Sequence, residues 1–407
     1  MPSINPKLCT ICKGYKRLCG LPRCPILERF KWNVSATALI SEEVEGQTPP
    51  STLVGEFGYP KVRIYYAVPP DSDNPKLHDD PLTWSMKRFP LPKIVSLRAS
   101  LVSGTLILDA RNPEVLLDRE IAFAAVSDRT VDSEVFLEKK PVPKLRFDGL
   151  TKPVGPSSKA REIKITGNPA PPRPLEKLVY DEVKAEQAAW ILYTSGVDIY
   201  TITRAFSLGM LGLPKNRRLV PTRWSITAVD TLIAGRMLER VRRSKRTINS
   251  IEVYTSYYLG NKFVIILLPG PYKGDWIEAW QAGTLWTRGA RRHIIITVHE
   301  DERGRQDKMD GGFMAARLPV IEHLYRRKAR ASFIILREIY PSYYAPVGNW
   351  HIRETVRRAL ASPPYKPETR KDLERYVSSQ TRVGLELLEK SKVYREYFRV
   401  KRLDSFF

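Results

Sequence analysis

Beyond Cys24 this 407-residue chain has no cysteine; Cys9, Cys12, Cys19 and Cys24 are its full complement. A disulfide framework spread through the fold is therefore excluded. No apolar run approaches the ~20 residues of a membrane-spanning helix. No apolar core of a secretory signal opens the chain. Both absences lead us to expect a cytoplasmic protein with no membrane partner. The sequence also lacks a Walker loop, a dinucleotide glycine fingerprint, a nucleophile elbow and an H-E-x-x-H helix. No segment repeats at a fixed period, which excludes a solenoid.

Positive charge is what the chain has in excess. Lys and Arg number 67 against 44 Asp and Glu, a formal net charge of +23. An excess of that size attracts polyanions, and nucleic acid is the default partner. Hydrophobic residues make up 43%, enough for a sizeable core, and the length suits two or three domains. Abundant Arg, Tyr and Pro beside little Gln suggests a thermophile.

The cysteines form C-x2-C-x6-C-x4-C in a stretch rich in Lys, Gly and Pro. Four thiolates at such spacing can close a tetrahedron around structural zinc, and Cys9–Cys12 has the C-x2-C knuckle spacing. Gly14 and Gly20 permit the tight turns. An iron–sulfur cluster is the rival, because Pro25 follows Cys24, but the spacing matches neither ferredoxin pattern.

The pattern of elements predicts an α+β fold: a mixed sheet with helices, a small N-terminal zinc knuckle of four cysteines and a flexible C-terminal tail. We divide it into a knuckle (1–30), a β-rich portion (31–150), a Pro-rich excursion or linker (151–174), an α/β main portion (175–398) and a tail (399–407). Val62, Ile64, Tyr66 and Val68 alternate as a strand. Further strands are expected at Ile121–Val126, Glu134–Leu137, Arg292–Val298 and Ala331–Ile339, and a hairpin turning at Gly260–Asn261 over Ile248–Leu268. Helices are expected over Leu175–Tyr193, Asp198–Leu211, from Gly311, over Trp350–Leu360 and over Glu368–Phe398.

The chain is organised around Leu213–Arg246. A basic loop carrying Lys215, Arg217, Arg218 and Arg223 leads into a helix expected from Ser225, and a second basic run ends it: Arg240, Arg242, Arg243, Lys245 and Arg246. Phosphate contacts suit these runs, and Trp224 is placed to stack on an exposed base. Ile226, Val229, Ile233, Met237 and Val241 fall on one arc, and Asp230 projects into it. Such a carboxylate needs a cation, a metal or donors. An ion pair with Arg223 or another arginine is one reading, a functional role the other. Glu182, Glu186 and Glu322 likewise fall on apolar arcs. Together with Asp230 they could hold Mg or Mn for phosphodiester chemistry, with His299 and His323 as acid–base candidates.

Leu403, Phe406 and Phe407 stand at i, i+3, i+4, so one helical turn puts them on one face. The pattern resembles the peptide that docks on the DNA sliding clamp, Q-x-x-hydrophobic-x-x-aromatic-aromatic, with Val400 where that peptide has Gln. Several segments together resemble the archaeal Nre family of DNA-repair proteins in its zinc-finger-bearing A form. They are the Cys9–Cys24 knuckle with CGLPRCP, GEFGYPKV at Gly55, LPKNRRLVPTRWSITAVD at Leu213, GGFMAARL at Gly311, REIYPSYYAPVGNW at Arg337, and the tail. The resemblance implies a DNA-repair role in complex with the clamp, proliferating cell nuclear antigen, and carries no catalytic chemistry with it. The readings that remain are a clamp-tethered DNA-binding repair factor, a metal-dependent enzyme acting on nucleic acid or a nucleotide, and a scaffold meeting RNA or another acidic partner.

Overall fold

The computed structural model describes residues 9, 11–16, 18, 24–38, 41–49, 51–69, 72–143, 155–284, 287 and 292–399. Cys19 and the tail residues Val400, Leu403, Phe406 and Phe407 lie outside them. The chain divides into two compact units. One comprises Pro25–Ile233 with Ala345–Val347, and the other Met1–Cys24, Ala234–Tyr344 and Gly348–Phe407. Each is mixed α and β, as expected.

The Pro25–Ile233 unit holds a six-stranded sheet. Its strands are β1 (Glu43–Thr48), β2 (Thr52–Val54), β3 (Lys61–Val68), β4 (Val102–Asp109), β5 (Val131–Leu137) and β6 (Ser157–Ile165), in the order β1-β5-β6-β4-β3-β2. All the pairings are antiparallel except β4 with β6. On β3 the expected alternation holds: Val62, Ile64, Tyr66 and Val68 are buried, while Lys61 and Arg63 face water. Tyr66 closes a buried hydroxyl cluster with Ser133 at 2.7 Å, and Ser133 meets Thr48 at 2.8 Å.

Three expectations in this unit are corrected. Ile121–Ala125 is a helix rather than a strand; Ile-Ala-Phe-Ala-Ala is apolar throughout, so periodicity cannot choose, and three alanines favour the helix. Ser157–Ile165, within the stretch read as a Pro-rich excursion, is β6 inside the sheet. Leu175–Tyr193 is two helices, Arg173–Tyr180 and Ala185–Thr194, because Asp181 turns extended between them.

In the second unit β7 (Glu252–Tyr258), β8 (Asn261–Leu268), β9 (Lys273–Trp280), β10 (Ile294–Glu300) and β11 (Ser332–Ile339) form a sheet in the order β10-β9-β11-β8-β7. Leu259 and Gly260, both in the left-handed region at φ 49° and 70°, make the two-residue turn of the β7–β8 hairpin. The central strand β11, parallel to β9 and antiparallel to β8, is buried along its whole length. Val253, Val264, Ile266, Ile277, Ile334 and Leu336 pack on Leu373, Val377, Leu387 and Val393 of the C-terminal helices. Phe313 of the Gly311–Arg326 helix stacks near Phe333, with centroids 6.4 Å apart. The single helix expected over Glu368–Phe398 is three: Arg370–Gln380, Leu385–Lys390 and Lys392–Arg399. Thr381 is extended and Gly384 left-handed at φ 65°, which breaks the run.

Candidate nucleic-acid interface

The long helix spans Thr222–Arg243, starting three residues before the expected Ser225. Val229, Ile233, Met237 and Val241 are buried as the arc predicts. Within the second unit, burial of Met237, Leu238 and Val241 turns Glu239, Arg240, Arg242 and Arg243 outward. The chain continues through exposed Lys245 and Arg246.

Lying alongside is a second basic run, Arg326, Arg327, Lys328 and Arg330, at the end of the Gly311–Arg326 helix. Ser244 Oγ donates to the Lys328 carbonyl at 2.7 Å, and the Arg330 N–H donates to the Arg246 carbonyl at 2.9 Å. Thr247 and Arg330 form a parallel bridge. Arg240 donates to the Tyr325 hydroxyl at 2.8 Å, its guanidinium 5.7 Å from the ring centre. Two runs some 80 residues apart in sequence are thus laced into one cationic face.

At this face lies a cavity of about 470 Å³, lined by Arg242, Arg243, Arg303 and Arg330 with Glu239, Glu302, Pro271 and Tyr272. Four guanidiniums against two carboxylates leave it cationic. Planar guanidiniums are the usual partners of phosphate oxygens because each can donate two parallel hydrogen bonds. Arg303 sits in a tight loop in which Asp301 Oδ1 accepts from the Arg303 and Arg305 amides at 2.9 and 2.8 Å. Those bonds, the Arg305 one first, hold the Asp301 carboxyl below its ordinary value. Gly304 closes the loop at φ 81°, and a Cβ there would stand 2.6 Å from Leu238 Cδ2. Beneath, the Tyr272 hydroxyl donates to Glu300 Oε1 at 2.8 Å. Glu300 also takes Arg317 Nε at 2.6 Å and Nη2 at 2.7 Å, with all three side chains buried. Burial opposes the Arg317 charge, yet Tyr272 and Glu300 raise its pKa above the ordinary arginine value. His323, near Arg327, is lowered to about 4 by burial and by that arginine, so it adds no charge to the face at neutral pH.

The other candidates fall as follows. Arg217 is buried and donates to the Gly212 and Val179 carbonyls at 2.9 and 2.7 Å, so its guanidinium is spent on the backbone instead of facing outward. Lys215 and Arg218 are exposed. Arg223 is exposed and pairs with Glu56 at 3.3 Å, not with Asp230. Asp230 is fully buried, as its arc requires. Glu182 and Glu186 are exposed rather than on a buried arc, because the helix expected to carry them breaks at Asp181. Glu322 is buried and held by Arg357 at 2.9 and 2.6 Å. His299 meets Asp275 at 2.7 Å, and Asp275 also accepts from Ser391 and the Val393 amide. Among the described residues no three His, Cys, Asp or Glu side chains are grouped to hold a metal ion. Nor is any helix among them long and apolar enough to cross a membrane. At the N-terminus Cys9 and Cys12 are buried, and Lys13 and Gly14 are left-handed at φ 47° and 83°. The Leu18 amide donates to Cys12 Sγ at 3.4 Å.

Two family models cover most of the sequence: "Archaeal Nre, N-terminal" matches residues 18–287 and "Archaeal Nre, C-terminal" residues 299–406. The chain belongs to the archaeal Nre family. It is 34% identical to the DNA repair protein NreB of Archaeoglobus fulgidus over 93% of this chain and 94% of that one. It is 36% identical to NreA of the same organism over 88% and 89%, and 31% identical to NreA of Haloferax volcanii over 88% and 86%. No solved structure matches significantly.

In this Nre chain the GGFMAARL segment carries Arg317, the cation beneath the cavity. The REIYPSYYAPVGNW segment carries Arg337, whose buried guanidinium meets Glu278 at 2.5 Å and donates twice to Asn261 Oδ1 at 2.9 and 2.7 Å. Reasoning from sequence missed Arg303, Arg326, Lys328 and Arg330 as members of the face. The signal for three of them was present in YRRKARA at a helix end, but nothing local ties that run to Arg240–Arg246.

Proposed function

We propose that this protein is a DNA-repair factor that grips the DNA backbone with its laced arginine face and docks on the sliding clamp through Leu403, Phe406 and Phe407. The observation that carries the DNA reading is the joining of two distant basic runs around a cavity lined by four arginines. The related NreA and NreB proteins bear the name DNA repair protein, and they are similar over nearly their whole lengths. Phosphate contacts supply affinity without reading sequence. A weak DNA surface and a weak tail multiply through effective concentration when both engage.

Replacing Arg242 and Arg243 by alanine is expected to weaken duplex binding and to flatten its salt dependence. Each phosphate contact contributes about 0.9 to the slope of log K against log salt, so the slope should fall by about 2. Fluorescence anisotropy of a labelled duplex between roughly 50 and 200 mM salt reads it. A slope that does not change removes the face from DNA binding.

Cys9, Cys12 and Cys24, with Cys19, would hold zinc as four thiolates. The buried Cys9 and Cys12, the left-handed turn after them and the amide donated to Cys12 Sγ suit that role. Zinc there would fix the N-terminal segment and take no part in chemistry. The purified chain should contain one zinc per molecule, and Cys12→Ser should carry well under one. Metal analysis finding iron, or no metal in the native chain, would reject this assignment.

A further inference from the structure

Among the exposed aromatic side chains of the Pro25–Ile233 unit, three lie at one loop and the start of one helix. Phe57 is 86% exposed, Tyr59 48% and Trp224 49%, with the Tyr59 and Trp224 ring centres 5.7 Å apart. The loop bearing Phe57 and Tyr59 is pinned in place. The Val54 amide donates to Thr222 Oγ1 at 2.9 Å, the Gly55 amide to the Arg63 carbonyl at 2.8 Å, and Glu56 pairs with Arg223. Those bonds bring the loop against the first turn of the Thr222–Arg243 helix, where Trp224 stands. Solvent-facing aromatics grouped on a fixed loop mark a binding surface, since scattered single ones are the norm on a monomer. Among the neighbours, Lys61 and Arg63 on β3 are exposed cations, while Arg223 beside Trp224 shares its charge with Glu56.

Rings for base faces with cations for the backbone are what an unpaired strand needs, whereas a duplex hides its base faces in the stack. A protein partner would be served by the rings and repelled or ignored by the cations unless it were acidic. We propose that Phe57, Tyr59 and Trp224 form a stacking ledge for unpaired bases of single-stranded DNA. This rests on the DNA-binding reading above and adds to it a preference for sites where strands have separated.

The test uses the full chain with an oligothymidine single strand and a duplex of equal length. Phe57→Ala/Trp224→Ala should lower single-strand affinity about 30-fold, equivalent to roughly 2 kcal/mol at 1.4 kcal/mol per tenfold, with duplex affinity unchanged. Both positions are exposed, and equal melting temperatures confirm that folding is kept. Arg242→Ala/Arg243→Ala should weaken binding to both DNAs. Equal loss on both DNAs in the ledge variant, or no loss on the single strand, overturns the ledge and leaves its rings to a protein partner. A native chain that binds neither DNA overturns the DNA-binding reading itself and the ledge with it.

Discussion

Changing Phe406 and Phe407 together to alanine is expected to abolish measurable binding of the full chain to the sliding clamp. Buried aromatic anchors at an interface contribute about 2 kcal/mol or more each, so losing two weakens association on the order of a thousandfold. The proposed anchors are the three apolar side chains Leu403, Phe406 and Phe407, spaced i, i+3, i+4 in the sequence. Val400 stands where the clamp peptide carries Gln, so Val400→Gln should strengthen binding by supplying the polar contact that valine leaves unmade. Calorimetric titration of the clamp with each variant measures both effects. DNA affinity of the isolated chain should stay level in the double alanine variant, because the tail acts by tethering. Clamp affinity that survives the double change refutes the docking role.

The elements legible in the sequence are those whose burial follows a period. The alternation of β3, the Gly260 hairpin and the apolar run Phe333–Leu336 of β11 each carry one environment per position. What escaped notice had its polar residues satisfied by distant partners. β9 reads Lys-Gly-Asp-Trp-Ile-Glu-Ala-Trp, which suggests no strand until Asp275 is seen bonded to His299 and Ser391, and Glu278 to Arg337. β6 commits only Ala160 and Ile163 to the core, so Lys159, Arg161, Glu162 and Lys164 conceal it. Glu182 and Glu186 erred the other way: an arc drawn through an unbroken helix buried them on paper, and the break at Asp181 leaves them in solvent. The site divides along the same line. Composition raised the expectation of a polyanion partner, and the Arg240–Arg246 run marked half the cationic face. The half contributed by Arg326–Arg330 is joined to it by backbone hydrogen bonds that no local pattern encodes.

The Glu300–Arg317 pair beneath the cavity gives the largest expected effect on stability. Arg317 lies on the Gly311–Arg326 helix and Glu300 ends β10, so their two-pronged contact ties helix to sheet next to the loop that presents Arg303. Removing one member leaves a charge in the interior without its counter-charge, a change that costs about 3–5 kcal/mol. Both Glu300→Gln and Arg317→Met should lower the urea midpoint of the unit carrying β7–β11 accordingly. The double change Glu300→Gln/Arg317→Met should be far milder than the sum, since no unpaired charge remains and the new amide can still accept from Tyr272. DNA affinity should follow a different pattern. Tyr272 lines the cavity while bonded to Glu300, so loosening Glu300 disturbs the wall even where the fold survives. If each single variant unfolds within about 1 kcal/mol of the native chain, the pair does not tie helix to sheet. The placement of Arg303 must then depend on the Asp301–Gly304 turn alone.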